Sequence, residues 1–389
     1  MIAASLLVNG ITTLNNIPDI LDVQTMLEII KGFNIKVKRE NHKITIDTTN
    51  IQEASLNFKL ISSIRASVVL VGPLLARYGR VIIPHPGGDK IGKRPIDRHI
   101  DALKQLGCNV SEHDNLYEFS YEKLKNDTVS FDKITVAGTE NLLLFSSLIN
   151  KKITINNCAI EPEILDLADY LKKIGVHIQH DGRTFVVEGN TTLKATEHSI
   201  ISDRLEAGTF ACLAAATGSE IKINNCPIHY LNNFLNALKK IGVNFETGDN
   251  FLYIKKSSKL QSFDVSTAEY PGLSTDLHPP LGVLLTQAHG TSEICENIFE
   301  NRLGYLNELK TMGANIEILD KSKAKIYGPT KLHGANIHSL DIRAGATLII
   351  AGLIANGETI IENAEIIDRG YEKIEDRLSQ IGADIKRVM

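Results

Sequence analysis

The sequence predicts an α/β protein of two pseudo-threefold domains, each built from three βαβαββ repeats. Two independent echoes along the chain carry that prediction. In the first, a helix-like apolar run ends six times at Gly or Asn and passes into a short alternating strand. The markers are Asn34, Gly107, Gly175, Gly242, Gly313 and Gly382, spaced by roughly 70 residues. In the second, a helix end leads into a β-rich segment and then into the next helix, as in LLVNGITTLNN, LLARYGRVII, SLINKKITINN, LAAATGSEIKINN, LLTQAHGTSEICEN and LIANGETIIEN. Units this long and this mixed suit closed groups of three around a shared core, with an open solenoid as the alternative at such periods.

The elements follow in order from those echoes. QTMLEIIKGFNIKV supplies the first helix and strand, and Asn34 is its stop, because Asn tolerates the left-handed conformation next best after Gly. HIDALKQLGCNVSE and LADYLKKIGVHIQ repeat the pattern with Gly. FLNALKKIGVNFE, YLNELKTMGANIEI and EDRLSQIGADIKRV repeat it three times more, and each last residue run is read as a strand. Helix starts are expected near Asp, Glu or Pro. Three units end near Gly189 and the next begins near Asp203, with the polar NTTLKATEHSII as the connection. The expected domains are therefore 1–202, carrying a mobile lid at 84–95, and 203–389.

Composition fits an enzyme-sized globular chain: 389 residues, 43% apolar and 23% charged. A net charge of −4 gives no general attraction to nucleic acid or an anionic membrane, so an anionic ligand must be caught by a local cluster of cations. Cys108, Cys158, Cys212, Cys226 and Cys295 lack metal-ligand spacing, and their odd number without a secretory signal points to a reducing cytoplasm. No run approaches the roughly 18 apolar residues that span a bilayer.

Candidate chemistry clusters in PHPGGDKIGKRPIDRH, residues 84 to 99. Gly87 and Gly88 allow a moving loop, Asp89, Lys90, Lys93 and Arg94 supply charge, and Pro95-Ile96-Asp97 can start a helix. Alone, the stretch also reads as a solvated hairpin turn. Arg65, Arg302, Arg343 and Arg369 all sit at element ends beside small or acidic residues. A planar guanidinium captures phosphate and carboxylate in two-pronged fashion, although each such residue taken singly can equally be a surface ion-pair partner.

The stretches RASVVLVGPLLARYG, PGGDKIGKRPIDRHIDAL, VAGTENLL, EPEILDLADYLKKIGV, SDRLEAGTF, STDLHPP, IFENRLGYLNELKTMGA, DIRAGATLIIAGLIANG and IDRGYEKIEDRLSQIGA run in order from one end of the chain to the other. In them the chain resembles the enolpyruvyl transferases, most closely those that act on a UDP-sugar. The resemblance implies the inside-out α/β barrel of that family. It also implies transfer of the enolpyruvyl group of phosphoenolpyruvate to the 3′-hydroxyl of UDP-N-acetylglucosamine, through a tetrahedral addition intermediate and with release of phosphate, in peptidoglycan precursor synthesis. No metal or organic cofactor is implied, nor a nucleic-acid or membrane partner, and a monomer is expected.

The same resemblance assigns residues. Arg94, Arg302, Arg343 and Arg369 match cations around the doubly anionic donor, and Arg65 a further cation at the substrate site. Asp276 matches the carboxylate that accepts the sugar hydroxyl proton, a role suited to a group ionised at neutral pH. Asp341 matches a proton-handling partner. Ile298 with Phe299, the backbone from Arg94 through Pro95, Ile96 and Asp97 to Arg98, and that of Val136, Ala137 and Gly138 match uridine and diphosphate contacts. Asp89 stands where the family carries Cys or Asp, the lid residue tied to acid catalysis and product release. An unperturbed Asp needs about 4 kcal/mol to stay protonated at pH 7, so a proton-donating Asp89 requires burial or a neighbouring anion. Fosfomycin, which alkylates the family's thiol, is expected not to inactivate this chain.

Two departures from the family pattern stand out. A segment with a strand and a Lys-Asn pair that contacts both substrates precedes the point corresponding to Met1 in the family, so the second domain is expected to lack a strand. LHPP follows Thr275-Asp276 where a Gln-containing run is usual. The first departure admits either a sequence that begins at an internal Met of a longer chain or a catalytically silent UDP-sugar-binding paralogue. The shared fold and donor also admit the sister activity on shikimate 3-phosphate.

Overall fold

The computed structural model describes residues 1–89, 91–92 and 95–388. The chain divides into two compact units, one formed by 1–88 with 94–201 and the other by 89–93 with 202–389. Of the expected lid, Asp89, Ile91 and Gly92 group with the second unit.

In the first unit three helical segments form the interior: the 3₁₀ turn Ala3–Leu7 and the helices Val71–Tyr78 and Val136–Ser146. They are apolar around much of their circumference, as a helix enclosed on all sides must be. Val71–Tyr78 packs against both of the others. Its contact with Val136–Ser146 is close because residue 72 is Gly: a Cβ there would lie 2.4 Å from the Asn141 carbonyl oxygen. Asn141 closes the same contact by accepting a hydrogen bond from Gly72 N at 2.7 Å. The second unit repeats the plan with Arg204–Thr217, His278–Thr286 and Ile342–Ile354, which pack pairwise on one another.

Among the described residues three sheets belong to each unit. Outer helices alternate with them, and Asn232–Ile241 is representative, burying Phe234, Ala237, Leu238 and Ile241 at helical spacing. All six markers adopt positive φ, from 60° at Asn34 to 110° at Gly175. Five are followed by strands: Lys36–Glu40, Asn109–His113, His177–Asp181, Asn244–Gly248 and Ile316–Ile318. The strand expected after Gly382 does not form within the described residues. Each of the other five pairs antiparallel with a following strand, and no described residue gives 383–388 such a partner.

The polar connection read from the sequence contains a strand of its own. Glu197–Ser199 pairs parallel to Ile11–Asn15 with Thr13 opposite Glu197, so the sheet of the first repeat is completed from the far end of its unit. No described helix is long and apolar enough to cross a membrane. The interiors are separate clusters, one drawn from Ile2 to Leu193 and one from Ala207 to Leu378.

Candidate active site

In the second unit the candidate residues are placed by helix starts and short turns. Asp341 caps helix Ile342–Ile354, its Oδ1 accepting from Arg343 N at 2.9 Å and Ala344 N at 3.0 Å. The cap fixes Arg343 in the first turn, where its guanidinium lies 5.3 Å from the Tyr371 ring centre and Nε donates to Asp276 Oδ2 at 3.2 Å. Arg302 opens the turn Arg302–Gly304, and its Nη2 donates to Asp276 Oδ1 at 2.7 Å while lying 3.9 Å from Asp341.

Asp276 is therefore clasped by two guanidinium groups. Burial pushes its carboxyl up, but Arg302 and Arg343 outweigh that and hold its pKa at about 2. Both arginines retain a buried N–H, Arg302 Nε and Arg343 Nη1, that has no hydrogen-bond partner among the described residues. Buried donors of this kind are uncommon in folded proteins, and here two of them sit on cations beside a partly exposed carboxylate. The arrangement can receive an anion with several acceptor oxygens.

Asp89 joins this unit through Arg369, whose Nη1 donates to Asp89 Oδ1 at 2.5 Å. Arg369 ends the turn Ala364–Arg369. The adjoining loop is held by Ile91, which is buried and whose carbonyl accepts from Asn301 N at 3.2 Å. Burial raises the Asp89 pKa above the usual carboxylate range, with Arg369 opposing and Asp341 adding to the rise.

Ile298 and Phe299 turn their backbone N–H groups onto one oxygen of Glu296, at 2.7 and 2.9 Å. The other Glu296 oxygen accepts from Thr275 Oγ1 at 2.9 Å and lies 3.1 Å from His278 Nε2. Glu296 and His278 are absent from the sequence-derived candidates. The only signal for His278 is the unusual LHPP run, and nothing in CENIFENR marks Glu296 as buried.

In the first unit, Arg65 Nη2 donates to the Pro95 carbonyl at 3.3 Å. Ile96 is buried and immediately precedes helix Asp97–Leu106, which the Pro-Ile-Asp signal predicts. Arg98 Nε approaches Asp132 Oδ1 at 3.3 Å. Val136, Ala137 and Gly138 form the first turn of helix Val136–Ser146, with Thr135 Oγ1 accepting from Gly138 N at 3.3 Å. The first turns of both helices offer N–H groups suited to phosphate oxygens. Arg94 lies outside the described residues, as do Lys90 and Lys93.

The family described as EPSP synthase (3-phosphoshikimate 1-carboxyvinyltransferase) matches residues 1–378. A UDP-N-acetylglucosamine 1-carboxyvinyltransferase of Wolbachia pipientis subsp. Culex pipiens (strain wPip) is 40% identical, over 99% of this chain and 92% of that protein. One of the same name from Koribacter versatilis (strain Ellin345) is 39% identical, over 99% and 90%. Among solved structures, the enolpyruvyl transferase NikO from Streptomyces tendae superposes with a TM-score of 0.90 at 22% identity, over 99% of this chain and 92% of that one. EPSP synthase from Acinetobacter baumannii gives 0.78 at 18% identity, over 99% and 94%.

Proposed function

The chain belongs to the enolpyruvyl transferase family, and within it we propose that it moves the enolpyruvyl group of phosphoenolpyruvate onto the 3′-hydroxyl of UDP-N-acetylglucosamine. The reaction opens peptidoglycan precursor synthesis and so serves cell-wall biogenesis. A cytoplasmic setting and a monomeric protein go with this reading.

The observation that supports it most is the Asp276 carboxylate between Arg302 and Arg343, each with a buried N–H to spare. The donor carries a phosphate and a carboxylate, and guanidinium groups that are already placed need no reorganisation to receive them. Its arrival also acts on Asp276. Once Arg302 and Arg343 share their charge with the donor, less of it holds the Asp276 pKa down, and the carboxylate becomes a better base.

The donor methylene carbon takes a proton while the sugar oxygen bonds to the adjacent carbon and passes its own proton to Asp276. The tetrahedral adduct then loses phosphate by cleavage of the carbon–oxygen bond as the methyl carbon returns a proton. The resemblance gives donation of the first proton to Asp89, whose pKa burial raises while its ion pair with Arg369 opposes the rise. Arg369, paired with Asp89 in the same unit, adds a further cation for the donor. In the second unit, Ile298 and Phe299 are the residues suited to the nucleotide sugar, their backbone set by Glu296.

Phosphate release is the test. Mixing the chain with both substrates should release phosphate and form the enolpyruvyl ether, with neither product when one substrate is omitted. Binding of UDP-N-acetylglucosamine without phosphate release would overturn the reading in favour of a silent binding protein.

A further inference from the structure

Glu296 is 2% exposed, yet the reaction above gives it no task. It follows strand Gly290–Cys295, and its side chain and that of His278 are both sealed from solvent. Enclosing an ionised carboxylate is expensive unless donors meet it, and an apolar pair of similar volume would commonly serve stability as well or better. Burial pushes the Glu296 carboxyl up, but His278 and the Phe299 and Ile298 amides outweigh it and keep the group ionised. Burial lowers the His278 pKa against the opposing pull of Glu296, which favours a neutral ring. His278 stands at the first position of helix His278–Thr286, two residues beyond Asp276, with Nδ1 3.4 Å from Tyr305 Oη.

What the carboxylate joins gives its use. Oε2 accepts from Thr275, the residue directly before Asp276, and Oε1 accepts from the amides of Ile298 and Phe299. The Phe299 carbonyl in turn accepts from Arg302 N at 3.4 Å. A single buried group thus ties the loop of Asp276 to the turn that bears one of its two guanidinium partners.

We propose that Glu296, backed by His278, is a positioning residue for the transfer reaction. One oxygen aims the Asp276 carboxylate through Thr275, and the other sets the Ile298–Phe299 backbone against the nucleotide sugar. The inference rests on the reading of Asp276 as acceptor of the sugar hydroxyl proton.

A double-mutant cycle tests it, with Glu296→Ala, Glu296→Gln and Thr275→Val each made alone and together with Asp276→Asn. A displacement on the order of 1 Å at reacting groups can lower turnover about 100-fold, and Glu296→Ala should approach that loss in kcat while also raising KM for UDP-N-acetylglucosamine. Thr275→Val should lower kcat and leave that KM unchanged, because only the Oε2 side is lost. Glu296→Gln, which can still accept the two amides, should keep KM near the parental value and lose less kcat than the Ala variant. In the Asp276→Asn background none of the three should lower kcat further. Independent, multiplying losses in that background with a slow Asp276→Asn parent would overturn this inference alone. Asp276→Asn at parental kcat would overturn the reading of Asp276 and this inference with it. Should Glu296→Ala fail to fold, the Gln and Val variants complete the cycle.

Discussion

Asp276 is held well below its ordinary pKa by Arg302 and Arg343, against the opposing effect of burial. With a folded value of about 2 against 3.8 ordinarily, its contribution is complete above about pH 4 and is lost as the pH falls toward 2. Asp276→Asn should flatten that acid limb, measured by urea unfolding at a series of pH values, and should lower kcat by roughly 10²- to 10⁴-fold. At position 89, fosfomycin should leave the chain unlabelled by mass spectrometry, and Asp89→Cys should gain the adduct, since a thiol can be alkylated where the native carboxylate is expected to be left alone. The sequence made Asp89, Asp276, Arg302, Arg343 and Arg369 legible because each sits in a short stretch whose neighbours are themselves informative. Glu296 and His278 were not legible. Their interest lies in complete burial and in a pairing across 18 residues, and neither property is visible before the chain folds.

At the scale of elements, Asp341 caps a helix, and the family resemblance also gives it proton handling. Asn caps a helix about as well as Asp, whereas Ala costs about 1 kcal/mol. Asp341→Ala should therefore lower the melting temperature and Asp341→Asn should not, so a fall in kcat in the Asn variant reports proton handling free of any capping loss. Gly72→Ala would force a Cβ into the backbone of helix Val136–Ser146 and should cost about 1–3 kcal/mol, read from chemical denaturation. The elements were legible where Gly or Asn punctuated them, because a left-handed stop is a property of one residue. Glu197–Ser199 was read as connection because three residues of polar sequence carry no strand signal, and it is pairing with Ile11–Asn15 that makes them one.

For the whole molecule, the fold class followed from counting repeats, since six long α/β units restrict the architectures that can bury them. Each unit has a core that shares no residue with the other. Native-state hydrogen exchange should therefore reveal two families of slow amides, divided near residue 201, each with its own denaturant dependence. A single common opening transition for both families would contradict that division.

The parallel pairing of Thr13 with Glu197 also sets a schedule for the chain during its synthesis. At about 5–20 residues per second, roughly 10–40 seconds separate the emergence of the two partners from the ribosome, and until then one side of Ile11–Asn15 has no neighbour. The nascent first unit is thus held open at its seam until nearly all of it has been translated, which makes that interval the natural window for chaperone engagement.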